Sequence, residues 1–76
     1  MKIIYKTQSE RNLSLKNVQD NQFFVDFHGS LCQKMSEDKY NIVAHSNGSL
    51  FSDRMTNCSP NTPIKRILSE IERIEF

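Results

Sequence analysis

Long apolar runs, an excess of charge of one sign, glycine, proline and cysteine are all scarce in this chain. No apolar stretch approaches the roughly 18 residues that a helix needs to cross a bilayer. Ten Lys or Arg stand against nine Asp or Glu, so the net charge of +1 removes the self-repulsion that holds highly charged chains unfolded. Two glycines and two prolines exclude a low-complexity linker and a glycine-rich phosphate loop, since Gly29 and Gly48 stand alone. Two cysteines, Cys32 and Cys58, are too few for the multiply bridged scaffold of a small secreted domain, and reduced thiols are expected. Neither Cys nor His shows the paired spacing of a structural zinc site.

What is present argues for one small folded domain spanning residues 1–76. The chain has 76 residues, 37% of them apolar, with Leu, Ile, Val and Phe distributed along its whole length. A domain of this size buries only about 60% of its unfolded surface and reaches a core stability of about 3–5 kcal/mol. Little free energy is left for a strained active site. The opening Met1-Lys2-Ile3-Ile4-Tyr5-Lys6 meets its second charge too early for a secretion signal, so the expected compartment is the cytoplasm.

The pattern predicts short antiparallel strands followed by one helix. Residues 2–7 alternate as a strand, and residues 8–19 lean to strand although Leu15 and Val18 also fit a helical turn. Asp20-Asn21 signals a turn. The segment 23–27 is the most strand-like, with Phe23, Val25 and Phe27 on one face and Phe24 on the other. Asn47-Gly48 between two apolar segments predicts a hairpin with a type I′ turn, placing Ala44 opposite Phe51 and Tyr40 opposite Met55. Thr62 as cap and Pro63 as first residue then predict a helix to about residue 75, with Ile64, Ile67, Leu68, Ile71 and Ile74 forming its apolar stripe. The expected fold is α+β: an antiparallel meander of three to five strands with this C-terminal amphipathic helix packed on one sheet face.

In that architecture one sheet face stays open. Ile4, Phe24 and Leu50 would form an apolar strip on it, with Phe76 beyond the helix, a surface suited to a protein partner. The function this predicts is a non-enzymatic regulator or inhibitor that masks its partner. Richness in Ile, Asn and Lys at this length is similar to that of small accessory proteins of AT-rich bacterial or bacteriophage genomes. The alternative is an RNA- or DNA-binding regulator, in which Lys2, Lys6, Arg11 and Lys16 contact phosphates.

A second basic pair, Lys65 and Arg66, falls in the first turn of the predicted helix, with Glu70, Glu72 and Glu75 towards its end. That order opposes the helix dipole, and with the free N–H groups after Pro63 it suggests an anion site. A homo-oligomer is the third setting, because its interfaces create pockets that one small domain lacks. No catalytic residue, metal, cofactor or membrane partner is expected. Pairings such as Cys32 with His28, or Asp26 with His28, carry no recognisable local signature.

Overall fold

A computed structural model describes residues 1–7, 12–49 and 55–75. Its elements are almost all antiparallel strands: β1 (Lys2–Tyr5), β2 (Leu13–Ser14), β3 (Phe23–Asp26), β4 (Leu31–Ser36), β5 (Lys39–Ala44), β6 (Met55–Asn57), β7 (Pro63–Ile67) and β8 (Ile71–Glu75). Two single 3-10 turns, at Leu15–Asn17 and Leu68–Glu70, interrupt them. Six strands form one sheet in the order β2-β7-β3-β4-β5-β6, while β1 and β8 form a separate two-stranded ribbon.

The predicted C-terminal helix does not form, and with it the α+β expectation fails. Residues 63–75 are two strands joined by a 3-10 turn. The reason lies in the spacing. The register of β7 against β3 slips between Val25 and Asp26, so that Val25 faces Arg66 while Asp26 faces Ile64 and Lys65 is the extra residue. The register of β8 against β1 slips in the same way, with Ile4 facing Arg73 and Tyr5 facing Ile71, which makes Glu72 the extra residue. Each bulge shifts the strand alternation by one, and the intervening 3-10 turn shifts it again. A broken strand of this kind reproduces the three- and four-residue spacing of a helix. Four isoleucines, stiff at χ1, favour the strand. The basic start and acidic end of this segment have no helix dipole to oppose.

The alternation of β3 holds, with Phe24 and Val25 on opposite faces, but both faces are buried and Phe27, expected in the core, is not. Phe24 is 1% exposed and Phe27 is 64% exposed. Phe24 joins Leu15, Val18, Cys32 and Ile64 in the main core, against which Leu13, Tyr40, Ile42, Cys58 and Ile67 pack. The Phe24 and Tyr40 rings meet edge to face, with centroids 5.4 Å apart. Phe27 escapes because β3 ends at Asp26 and the chain turns there.

At β3 and β7 the face opposite the main core is buried as well, so Phe24 does not lie on an open apolar face. Val25, next to Phe24 and pointing the opposite way, is fully buried. On that second face β1 contributes the Tyr5 ring, whose centroid lies 4.7 Å from the Arg66 guanidinium carbon. Arg66, 3% exposed, is buried there with a contact of 3.8 Å from Nη1 to Glu70 Oε2.

The main core holds a cation as well. Lys34 is 6% exposed, and its Nζ donates to the carbonyls of Leu15 at 3.1 Å and Val18 at 2.6 Å. These carbonyls belong to the 3-10 turn and its exit, so the ammonium ties that turn over the core. Residues 13–18 thus combine both readings of the sequence, a two-residue strand and then a helical turn.

The two glycines close the same kind of turn. In 26–30, Gly29 N donates to Asp26 O and Asp26 N donates to Ser30 O; in 45–49, Gly48 N donates to His45 O and His45 N donates to Ser49 O. Gly29 and Gly48 have φ of 82° and 93°, the left-handed region that glycine enters without strain. Asn47 does not share a positive φ, so the turn is a three-residue loop closed by a glycine bulge and not the predicted type I′. The register after it differs too, with Asn41 rather than Tyr40 opposite Met55. The Ala44 and Phe51 pairing lies outside the described residues.

Candidate functional site

The two glycine turns lie side by side, and they define one end of the molecule. A Cβ built on Gly29 would stand 3.6 Å from Ser46 Cβ. The start of β1 joins them, since the Met1 nitrogen donates to Ser46 O at 3.1 Å. Between these segments lies an open pocket of about 260 Å³, lined by Lys2, Ile3, Tyr5, Gly29, Ser46 and Lys65 together with Met1.

Each wall has a local cause. The bulge in β7 takes Lys65 out of the strand alternation, and its Nζ stands 5.6 Å from the Tyr5 ring centroid. Bulges commonly re-aim a side chain in this way. Lys2 and Tyr5 come from β1. Asp26 holds the first glycine turn rigid, its Oδ1 accepting from the His28 and Ser30 backbone nitrogens at 2.9 Å each. Asn47 Oδ1 does the same for the second turn by accepting from Ser49 N at 2.9 Å. The exposed Phe27 rides on the first of these turns.

The structure redistributes the residues singled out from the sequence. Lys2 and Lys65, 63 positions apart, line the same pocket. Arg66, expected beside Lys65 at an anion site, is instead buried under Tyr5. Lys6 and Lys16 are exposed, Lys16 in the 3-10 turn that follows β2 and Lys6 directly after β1. Phe24 is removed from any contact surface by burial, and Ile4 is half-buried within β1. Leu50, Phe76 and Arg11 lie outside the described residues. Phe27 was missed because strand alternation was carried one residue past the end of β3. The signal against it was Asp26-Phe27-His28-Gly29, a turn sequence with Asp first and Gly fourth.

The two thiols differ in setting. Burial, and then the negative charge of Asp26, push the Cys32 thiol far above its ordinary value of 9.0. Its Sγ lies 3.7 Å from Asp26 Oδ2. Burial also raises Cys58, though this residue retains access to solvent. A thiol reagent at about pH 8 is therefore expected to modify Cys58 in the native protein and Cys32 only after denaturation. The folded state keeps the Cys32 proton where the unfolded thiol loses it. Stability should therefore fall as pH rises above 9, by up to about 1.4 kcal/mol per pH unit. Chemical denaturation at a series of pH values, with Cys32→Ala as the flatter reference, checks this.

Among the described residues no group of three or more His, Cys, Asp or Glu converges, and no helix is long and apolar enough to cross a membrane. Compared with known proteins, the chain matches no family model, no curated protein and no solved structure.

Proposed function

We propose that this chain is a non-enzymatic protein-binding module that regulates or inhibits a partner by occupying its surface, and that its contact surface is the end carrying the two glycine turns. The observation that supports this reading is Phe27. A phenylalanine that is 64% exposed on a turn closed by four hydrogen bonds loses little conformational freedom when it enters a partner's pocket. Aromatic anchors of this kind carry much of the energy of protein interfaces. A standard interface needs about 800 Å² from each side, and the domain exposes 4980 Å², so one end suffices.

Photo-crosslinking tests the proposal. A benzophenone side chain placed at Phe27, in cells that produce the protein, is expected to give one dominant protein adduct. The same group at the exposed Asp20, in the turn between Gln19 and Gln22, is expected to give none. Equal labelling from both positions would refute the assignment of this end as the contact surface.

A further inference from the structure

We infer that the pocket between the two glycine turns and the start of β1 is a binding site for a phosphomonoester, with Lys2 and Lys65 as its cationic walls. This goes beyond the protein-binding reading and does not depend on Phe27. Three observations carry it. Two lysines line one pocket, and no carboxylate is among its lining residues. Among the described residues neither lysine has a carboxylate within ion-pair distance. The acids nearest along the strands are already engaged: Glu75, the register partner of Lys2, binds Arg73 Nε at 2.9 Å, and Glu70 lies with Arg66. The orientation of Lys65, finally, is produced by a bulge and held over the Tyr5 ring, so it is set by the fold and not by free rotation of a surface side chain.

The ligand class follows from charge and size. Two lysines in the wall of one cavity match a dianion better than a carboxylate, and lysine serves phosphate as a compact point charge. At about 30 Å³ for each water, 260 Å³ has room for about eight or nine waters, more than a phosphate alone fills. Ile3 and Tyr5 give the remaining space an apolar and aromatic lining that suits the organic part of an ester. Ser46 adds a hydroxyl capable of donating to a phosphate oxygen. The shared chemistry is the phosphate dianion, whose source is either free phosphate or an organic phosphomonoester.

Amide chemical shifts of the full chain, titrated separately with inorganic phosphate and with adenosine 5′-monophosphate at constant ionic strength, test the inference. Saturable shifts at Ile3, Gly29, Ser46 and Lys65 are expected with both. Tighter binding of the nucleotide assigns the site to organic esters, and equal binding assigns it to free phosphate. Affinity for the nucleotide should rise between about pH 5 and pH 7, as the second proton of its ester phosphate, with a pKa near 6, is lost. Lys65→Gln is expected to weaken binding about tenfold or more with the remaining spectrum unchanged, and Lys65→Arg to retain most of it. Shifts that never saturate, or that survive in the Lys2→Gln, Lys65→Gln double variant, would overturn the assignment. So would loss of binding in Lys65→Arg as complete as in Lys65→Gln. If the double variant does not fold, the two single variants decide: Lys2→Gln and Lys65→Gln are each expected to weaken binding about tenfold, and full affinity in both would overturn the assignment.

Discussion

Phe24→Ala is expected to abolish the cooperative thermal transition at ordinary temperatures, while Phe27→Ala leaves it within a degree or two. Phe24 is fully enclosed among Leu15, Val18, Cys32 and Ile64 and meets Tyr40 edge to face. Removing a buried phenylalanine costs about 3–5 kcal/mol through lost transfer energy and an unfilled cavity. The whole stability of a domain this size is about 3–5 kcal/mol. The single substitution therefore exhausts it. Phe27, 64% exposed, makes so little buried contact that its truncation should change stability by about 0.5 kcal/mol or less. Strand alternation read from sequence predicts the reverse order, so circular dichroism melts of the two variants separate the two placements directly. Equal destabilisation would show that the first glycine turn is packed against the core.

Lys34→Ala is expected to be the second most damaging substitution, by about 3 kcal/mol. Its ammonium donates to the buried Val18 carbonyl at 2.6 Å and gives the Leu15 carbonyl, which also accepts from Val18 N, a second hydrogen bond at 3.1 Å. Bonds to a charged donor contribute about 1.5–3 kcal/mol each, and the Val18 carbonyl, left unsatisfied away from water, forfeits a comparable amount, whereas Leu15 O keeps the bond from Val18 N. Relaxation of the turn towards solvent recovers part of that sum. The loss should be local before it is global. Hydrogen exchange at Val18 N, which donates to Leu15 O, is expected to accelerate more than exchange at the centre of β3. Lys34→Met, which keeps the volume of the stem, should recover part of the stability but not the protection of Val18. If Lys34→Met matched the parent in both, the ammonium would be a passenger in the core and the turn would be held by Leu15 and Val18 alone.

Local signals of the glycine turns were legible in the chain. Asp26 two residues before His28 and Asn47 two residues before Ser49 are side chains suited to closing a turn on their own backbone, with glycine where a positive φ is needed. The candidate pocket was legible only in pieces. Lys2 and Lys65 each stood out as cations, but nothing in a linear pattern places residues 63 positions apart on the same cavity. Arg66 shows the opposite failure. It looks like a surface charge beside Lys65, yet its guanidinium is buried 4.7 Å from the Tyr5 ring centroid, while Lys65, with Nζ 5.6 Å from the same centroid, lines the pocket.

By itself, the sequence determined a small domain of antiparallel strands with turns at Asp20-Asn21 and around Gly48, because these follow from composition and from local backbone chemistry; it left Gly29 open between a bulge and a turn, and it placed a helix where two strands form. Tertiary structure alone decided the rest. The stripe at Ile64, Ile67, Ile71 and Ile74 satisfies a helix and a twice-bulged strand equally well, since each bulge shifts alternation by one residue. β7 finds its partners in β2 and β3, and β8 in β1, pairings that extend hydrogen bonding across most of the chain. An isolated helix would have left the edges of those strands unpaired. The cost of buried unpaired backbone is a property of the whole fold, so it selects between local patterns that the local residues leave balanced.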